Sequence, residues 1–299
     1  MSVPRRIDLH MHTSVSDGTD SPEEILGKVR SLDLDMFSVT DHDAVKACAV
    51  IRGLLRDGDP VFVPGAEFSC RDEEGKYHIL GYGFDPEDPA VLELVALGHS
   101  LRMKKVTARL EYLRDKFGFT FPDGETEALL ALDNPGKPHI GNLMVKYGYA
   151  ASKEEAITKY INGIRFKKEY VRPEEAIRGI LDAGGIPVLA HPFYGDGDDL
   201  ILGDEMDKRI LRLMDFGLLG VEAFYSGFTA KLRCEMIATA ERHGLLITAG
   251  SDYHGSNKTV RLGETGLDEE TALPDGMEAF LEAIRPAVIR GYNKWKLYK

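Results

Sequence analysis

The stretch from Ile7 to Asp20 reads IDLHMHTSVSDGTD, and it places two histidines two residues apart in a segment that begins like a buried strand. Successive side chains of a strand point to opposite faces, so His10 and His12 project together while Leu9 and Met11 project from the other face. Two neighbouring imidazoles suit one metal ion. A single pair of histidines can also be structural. The choice between a metal site and a structural pair therefore depends on the rest of the chain.

Imidazoles and carboxylates recur at the ends of other apolar runs, in SVTDH, VPGAEFS, YHILGY, VLAHP and TAGSDYH. Most follow their run, and the C-terminal ends of strands are where α/β sheets and barrels carry active sites. Six of the nine histidines fall at such positions. We therefore expect one cluster that contains His10, His12, Asp17, His42, Glu67, His78, His191, Asp252 and His254.

The size of this set indicates its chemistry. Six imidazoles and three carboxylates exceed the four ligands of a tetrahedral zinc ion, and a structural zinc site would favour thiolates. Two or three ions with open positions are implied, and these ligands suit Zn²⁺, Mn²⁺ or Fe²⁺ without choosing among them. Ions bridged by a carboxylate can clamp a phosphoryl group and generate hydroxide near neutral pH.

Short apolar runs alternate with helical patterns along the chain, which predicts a mostly parallel sheet, open or closed. The helical pattern SPEEILGKVRSL begins with Ser21 as its N-cap and Pro22 in its first turn. A length of 299 residues suits one α/β barrel of about 250 residues with an insertion. The seven candidate strands are RIDLHMH, MFSVTDH, VFVPGAEFS, HILGYGF, IPVLAHPF, LGVEAFY and LLITAGSDYH.

Residues 91–171 contain helical patterns without a convincing strand, which predicts a helical insertion over one end of a main domain made of residues 1–90 and 172–299. Arg102, Lys105 and Arg109 share one face of its longest helix. The simpler interpretation is a solvated charged face, and the alternative is a stripe that faces a phosphate.

Charge and cysteine content exclude several classes of protein. The net charge of −12 argues against a broad grip on long duplex nucleic acid, although it allows a small anionic substrate. Three widely spaced cysteines without a CxxC pair favour a reducing compartment. The N-terminus lacks the apolar core of a signal peptide, and no apolar run approaches about 18 residues. We therefore expect a cytoplasmic protein without membrane contact.

The motifs DLHMHTSVSDG, VTDHD, GAEFS, YHILGY, GGIPVLAHP and GSDYHG follow one another between Ile7 and Gly255. Together they resemble the PHP family, the polymerase and histidinol phosphatase superfamily of metal-dependent phosphoesterases. The resemblance implies a distorted (β/α)7 barrel with a trinuclear metal centre at its C-terminal mouth.

The resemblance also divides the ligands among three ions. It implies a first ion on His10, His12, Glu67 and Asp252, with Glu67 bridging to a second ion. His78 and His191 would bind that second ion, and Asp17, His42 and His254 would bind the third. Asp17 stands where some relatives have histidine, which bears on metal preference. Asp41 would orient a neighbouring imidazole, or it is a turn or cap aspartate.

Within the superfamily, KPHIGN at Lys137 to Asn142, YING and EYVRPEEAI resemble the branch that acts on nucleotide phosphates and short oligonucleotides. Lys137 and His139 would then bind substrate at the mouth. A surface lysine and a helix-capping histidine are the alternatives. The sequence HPFYG after His191 lacks the arginine of the HPGRY found in relatives. Its aromatic residues, with Tyr225, would stack on a base or pack at the rim.

These residues predict a metal-dependent phosphoesterase that hydrolyses phosphate monoesters of small molecules by attack of metal-activated hydroxide. The expected substrates are nucleotides such as 3',5'-bisphosphonucleotides, or short RNA ends. The alternatives are a histidinol phosphate phosphatase, which uses the same metal centre, and a PHP module kept as a scaffold without catalysis. The complete ligand set argues against the scaffold.

Overall fold

Two sheets form the framework of the protein. The computed structural model describes residues 4–195, 200–267 and 272–291. The first sheet is parallel, in the order β1-β2-β3, and the second has the order β4-β5-β6-β7-β8. The strands are β1 (Ile7–Asp8), β2 (Met36–Phe37), β3 (Val61–Phe62), β4 (Gly65–Arg71), β5 (Lys76–Tyr82), β6 (Ile186–Leu189), β7 (Gly220–Tyr225) and β8 (Leu246–Gly250).

The pairing is mostly parallel, as the alternation of strands and helices predicts, and β5 is the exception. It runs antiparallel to both β4 and β6, whereas β6, β7 and β8 are parallel. The run VFVPGAEFS contains two strands, β3 and β4, and Pro64 lies between them. Proline cannot donate a hydrogen bond to a strand ladder, so the run is interrupted there. The described chain therefore has eight strands where the sequence predicts seven.

The two sheets meet at the ends that carry the candidate ligands. The amide of Leu9 donates to the carbonyl of Ala249 at 2.8 Å, which joins the chain after β1 to β8. His42, beyond β2, pairs with Glu67 of β4 through an isolated bridge. The α/β class is confirmed, but the described strands are assigned to two sheets and not to a single closed barrel.

Helices connect most of the strands. Ser21 caps the first helix, with Glu24 completing a reciprocal capping box, and Pro22 is its first residue, as predicted. The described α-helices are α1 (Pro22–Ser31), α2 (Lys46–Leu54), α3 (Pro89–Phe117), α4 (Asp123–Leu130), α5 (Lys137–Lys146), α6 (Lys153–Glu155), α7 (Pro173–Asp182), α8 (Gly203–Asp215), α9 (Ala230–His243) and α10 (Asp275–Gly291). None of the helices in the part of the chain that the structure describes is long and apolar enough to span a membrane.

The chain between β5 and α7 is helical, from the 29-residue α3 to a π-helical turn at Ala156–Tyr160 and a 3-10 turn at Ile161–Gly163. It has a small hydrophobic core of its own, in which Val106 and Leu113 of α3 pack with Ile140 and Met144 of α5. The larger core fills the space around the five-stranded sheet. One face of α3 therefore lies beside the strand ends, where its Arg102 contacts Asp43.

Candidate metal centre

A single carboxylate, that of Glu67 in β4, lies at the centre of the candidate site. Its Oε2 is 3.4 Å from His10 Nε2, 3.2 Å from His12 Nε2 and 3.0 Å from His42 Nδ1. Its Oε1 is 2.8 Å from His78 Nδ1 and 3.3 Å from His191 Nε2. Five imidazoles from four parts of the chain therefore surround one buried carboxylate.

Two further carboxylates flank this group. Asp252 Oδ1 lies 3.5 Å from His10 Nε2, 3.4 Å from His12 Nε2 and 3.4 Å from His254 Nδ1. Asp17 Oδ1 lies 3.2 Å from His254 Nε2. All nine residues named from the sequence are thus brought into one contiguous cluster.

Backbone geometry positions several of these side chains. His191 and Asp252 follow β6 and β8 and have φ angles of 30° and 57°, and Asp43, which follows His42, has a φ of 48°. Only four non-glycine residues of the described chain have a positive φ, so three of them lie at this site. Backbone strain of this kind costs on the order of 1–3 kcal/mol per residue and persists where the surroundings enforce it. The surrounding structure therefore holds His191, Asp252 and Asp43 in a strained backbone conformation at this site.

The polar atoms at the centre have the arrangement expected of metal ligands. His10 Nε2, His12 Nε2, His42 Nδ1 and Glu67 Oε2 are buried and have no hydrogen-bond partner among the described residues. Each of the three nitrogens nevertheless lies between 3.0 and 3.4 Å from Glu67 Oε2. Ligands that each lie about 2.1 Å from one ion are separated by about 3.0–3.5 Å. Buried polar atoms without partners are costly, and a divalent cation would satisfy them.

The ionisation of the cluster follows from its mixture of acids and imidazoles. Burial would lower the pKa of His12, but the nearby carboxylates of Asp252 and Glu67 outweigh burial and raise that pKa to about 9. Burial would raise the pKa of Glu67, but the imidazoles, above all those of His78 and His42, hold it well below its usual value. A protonated imidazole cannot bind a metal, so a cation that binds here must displace protons.

Among the described residues, three groups of side chains have ligand atoms close enough to hold an ion. They are His12, Asp17, His42 and His254; His10, His12 and Glu67; and His42, Glu67 and His78. These groups share His12, His42 and Glu67, whereas the family resemblance implies that Glu67 alone is shared. In particular, His12 belongs to two groups and brings the Asp17 group into contact with the Glu67 group.

Glu222 in β7 belongs to the site although the sequence analysis did not select it. Its Oε1 is 2.9 Å from His10 Nδ1, and its Oε2 accepts the backbone N–H of His191 at 2.8 Å. A carboxylate bonded to Nδ1 fixes the imidazole so that Nε2 faces the centre. The run LGVEAFY could have indicated this role, because a lone acidic residue inside an apolar strand needs a buried partner.

Tyr225 and Lys258 hold the outer oxygen of Asp252. The sequence analysis considered Tyr225 for stacking or packing alone and did not select Lys258. The Tyr225 hydroxyl donates to Asp252 Oδ2 at 2.9 Å, and Lys258 Nζ donates to the same atom at 2.5 Å. Asp252 Oδ1 is therefore left to face the imidazoles. Of the other aromatic residues considered for stacking, Phe193 is fully buried against Phe228 and Tyr194 is 39% exposed.

Asp41 is buried and binds the first loop. It accepts hydrogen bonds from the amide and hydroxyl of Thr13 and, at 2.6 Å, from the hydroxyl of Ser16. Ser16 Oγ lies 3.4 Å from His12 Nδ1. Asp41 thus reaches an imidazole through a serine and holds the loop that carries Asp17.

The two residues expected to bind substrate lie in the first turn of α5. Lys137 Nζ donates to Asn162 Oδ1 at 2.6 Å. His139 Nδ1 accepts the amide of Gly136 at 3.1 Å, which is a helix-capping contact. Burial lowers the pKa of His139, and the negative charge of Asp17 acts in the opposite direction, so His139 lies within electrostatic reach of the centre.

The charged face of α3 is not solvated, so the simpler interpretation of its sequence was wrong. Arg102, Lys105 and Arg109 are 9%, 6% and 5% exposed. Arg102 Nη2 donates to Asp43 Oδ2 at 2.6 Å and to Ser69 Oγ at 3.1 Å. The helical spacing of the three residues is as predicted, but this face is covered by the rest of the protein.

Comparisons with known proteins place these residues in context. No protein-family model matches the chain. The chain is 29% identical over 293 residues to a 3',5'-nucleoside bisphosphate phosphatase of Chromobacterium violaceum, covering 94% of this chain and 99% of the relative. It is 28% identical over 281 residues to the 5'-3' exoribonuclease Rnm of Salmonella typhimurium, covering 91% of each. It is also 28% identical to a phosphoribosyl 1,2-cyclic phosphate 1,2-diphosphodiesterase of Eggerthella lenta, covering 83% of this chain and 94% of the relative.

Solved structures are similar over most of the chain. A protein of Bifidobacterium adolescentis assigned as a metal-dependent phosphoesterase has a TM-score of 0.76 and 26% identity, covering 96% of both chains. A two-domain protein of Bacteroides vulgatus that contains a PHP-like metal-dependent phosphoesterase has a TM-score of 0.50 and 14% identity. It covers 94% of this chain and 61% of that protein, and its likeness concerns the fold alone.

Proposed function

We propose that the chain is a member of the PHP superfamily of metal-dependent phosphoesterases, which its motifs resemble, and that it hydrolyses phosphate esters of nucleotides. The substrates would be phosphate monoesters of the 3',5'-bisphosphonucleotide type or the phosphorylated ends of short RNA. The observation that carries this proposal is the Glu67 carboxylate, which contacts five imidazoles in a cluster with unpaired buried ligand atoms.

We infer that the cluster holds two or three divalent ions, of Mn²⁺, Zn²⁺ or Fe²⁺. Glu67 would be the shared carboxylate, since its two oxygens face different imidazoles. Such ions supply Lewis-acid polarisation of a phosphoryl oxygen and a water of lowered pKa. The proposed ligands are His10, His12, Asp17, His42, Glu67, His78, His191, Asp252 and His254.

The chain's own groups would orient these ligands and hold the substrate. Glu222 keeps Nε2 of His10 facing inward and holds the backbone at His191. Lys258 places its ammonium group beside Asp252, where it adds positive charge at the edge of the centre. Lys137 and His139 would contact the substrate from α5, for which the electrostatic influence of Asp17 on His139 is the support.

We further propose that the two sheets belong to one distorted (β/α)7 barrel of residues 1–90 and 172–299, with residues 91–171 as an inserted helical subdomain. Two contacts support the barrel, the hydrogen bond from Leu9 to Ala249 and the bridge between His42 and Glu67. The separate hydrophobic core around Val106 supports the subdomain.

Phosphate release tests the proposed function. The protein, loaded in turn with Mn²⁺, Zn²⁺ and Fe²⁺, is given adenosine 3',5'-bisphosphate, a 5'-phosphorylated dinucleotide and histidinol phosphate. We expect hydrolysis of at least one nucleotide with a kcat/KM at least about tenfold above that for histidinol phosphate. A pocket that fits a nucleotide would not also fit the imidazolyl amino alcohol of histidinol phosphate. A preference for histidinol phosphate, or no release from any substrate, would refute the proposal.

A further inference from the structure

A pair of hydrogen bonds joins the helical segment to a loop that carries a candidate metal ligand. Lys153 Nζ, at the start of α6, donates to the side-chain oxygen of Asn257 at 2.7 Å and to its backbone carbonyl at 3.1 Å. Asn257 ends the 3-10 turn Gly255–Asn257, which directly follows the candidate ligand His254. Lys153 and Asn257, which we call the clasp, therefore tie residues 91–171 to the chain that leaves the metal centre.

The clasp continues to the loop that carries Asp17. Asn257 Nδ2 donates to the backbone carbonyl of Asp17 at 2.7 Å, while Asn257 Oδ1 accepts from Lys153. An amide that donates at one end and accepts at the other is fixed in a single orientation. The Asp17 carboxylate in turn lies 3.2 Å from His254 Nε2. A chain of two hydrogen bonds thus runs from the helical segment to the backbone of a candidate ligand.

The 3-10 turn and the Asp17 loop also contact each other directly. The Ser256 amide donates to Thr19 Oγ1 at 2.9 Å, and the Thr19 amide donates to the carbonyl of His254 at 3.3 Å. Gly255 has a φ of 64°, and a Cβ at this position would lie 2.0 Å from Thr19 Oγ1. Both the backbone conformation and this close approach therefore require glycine. The Asp17 loop rests on the turn, so the position of the turn affects the position of Asp17.

Packing in the helical segment holds Lys153 where it can reach the turn. Its Cγ packs against Gly141 of α5, where an added Cβ would lie 3.1 Å away. Burial lowers the pKa of Lys153, and the negative charge of Asp17 acts in the opposite direction. The ammonium group is therefore within electrostatic reach of Asp17 as well as in contact with Asn257. Contact and charge together place Lys153 beside Asp17, although a lysine ammonium group is not itself a metal ligand.

We propose that the clasp positions Asp17 for metal binding, so that the ion of the Asp17 group binds tightly only while the helical segment is docked on the turn. This inference rests on the proposed function for the presence of the ions. The group comprises His12, Asp17, His42 and His254. Asp17 comes from a loop, and loops are mobile unless they are tied down, so the hydrogen bond to the Asp17 carbonyl keeps the carboxylate in place. Lys153 and Asn257 are then positioning residues.

Asn257→Ala is the direct test, because it removes both hydrogen bonds of the amide and changes no charge. The metal-loaded protein is exposed to a competing chelator, and the ions that stay bound are counted by elemental analysis. We expect the affinity for one ion per chain to fall at least about tenfold, and the affinity for the others to change less than about twofold. Asn142→Ala, at an exposed position of α5, is the matched control and should lose no ion.

Variants of Lys153 separate the contact from the charge. Lys153→Met removes the hydrogen bond and also a positive charge that repels a cation, so it should weaken the same ion by less than Asn257→Ala does. Lys153→Arg keeps both a donor and the charge and should hold the ion nearly as tightly as wild type. Asp17→Ala should lose the ion outright. Adding Asn257→Ala to Asp17→Ala should remove no further ion, because residues that act through one ligand are not additive.

Melting temperatures and rates separate positioning from a general loss of structure. If the clasp positions Asp17, metal-free Asn257→Ala should melt within about 4 °C of metal-free wild type. Excess metal should then restore its rate to within about threefold of the wild-type rate. Equal loss of all ions with a lower metal-free melting temperature, or retention of every ion by Asn257→Ala, would overturn the proposal.

The ion counts need no enzymatic activity, so the clasp and the proposed hydrolysis can fail separately. If wild type hydrolyses no nucleotide but Asn257→Ala loses one ion and Asn142→Ala loses none, the clasp stands and the hydrolysis does not. If wild type hydrolyses a nucleotide and Asn257→Ala keeps every ion, the hydrolysis stands and the clasp does not. A wild-type protein that binds no ion after loading would remove both the metal centre and the clasp.

Discussion

The metal centre lies beside the buried cations Arg102, Lys105 and Arg109 of α3, which we call the cation stripe. The residue pair His42 and Asp43 joins the two regions, yet they are built in opposite ways. The centre gathers imidazoles and carboxylates from the ends of many strands, and each charge has neighbours of both kinds. The stripe takes three cations from one helix and gives them one acid. The centre therefore provides ligands for cations, whereas the stripe is a buried row of cations held by one carboxylate and by the Tyr170 and Phe166 rings among the described residues.

The two regions also differ in the backbone that carries them. Ligands of the centre follow short strands, and two of them, His191 and Asp252, occupy strained positive-φ positions. The residues of the stripe lie within a regular 29-residue helix. A change in the centre should therefore disturb several groups at once, whereas a change in the stripe should act locally. Substitutions in each region would reveal this difference.

Glu67→Gln should have the largest effect of any single substitution. A neutral amide bridges two cations poorly, and it leaves five imidazoles without their shared carboxylate. We expect phosphatase activity to fall at least about a hundredfold, with loss of bound metal. Steady-state rates and elemental analysis measure both. Glu74→Gln, at an exposed position of the same hairpin, is the control, and activity within tenfold of wild type for Glu67→Gln would show that Glu67 is not the bridge.

His12→Ala should remove more metal than His10→Ala, although the two histidines are two residues apart. His12 belongs to two of the three candidate ligand groups and His10 to one. Because residues that act as a unit are not additive, the double variant should lose little more activity than His12→Ala alone.

Metal counts on the purified His10 and His12 variants decide between shared and separate ligand groups. If His10→Ala and His12→Ala lose the same number of ions and their effects on rate multiply, the two residues serve independent sites. Each substitution in the metal centre would then act locally, as we expect for the cation stripe.

Glu222→Gln should weaken metal binding about tenfold without abolishing it, because Glu222 orients a ligand and is not one itself. The substitution leaves one oxygen to serve both His10 Nδ1 and the amide of His191. Competition with a chelator measures the affinity, and Glu241→Gln on the exposed side of α9 is the control. An unchanged affinity would mean that the His10 imidazole is held by packing alone.

The sequence predicted the centre far better than its surroundings, for physical reasons. His10, His12 and Asp252 each follow an apolar run, and active sites of α/β proteins lie at strand ends, so their convergence could be inferred. A helical period tells which residues share a face, but it does not tell what covers that face. Arg102 was therefore grouped correctly and misplaced in solvent. The covering segment around Tyr170 has no periodic pattern by which its position could be predicted.

The smallest effects should come from Lys137 and His139 in the first turn of α5, where the negative charge of Asp17 influences His139. If they bind substrate, Lys137→Ala and His139→Ala should raise KM a few fold and leave kcat and metal content nearly unchanged, since they act on binding and not on the reacting bond. Lys146→Ala, an exposed lysine at the end of the same helix, controls for loss of surface charge. His139 also accepts the Gly136 amide, so a lower melting temperature with an unchanged KM would assign it to helix capping alone. Metal loss from His139→Ala would instead place it among the ligands of the Asp17 group and extend the metal centre into the insertion.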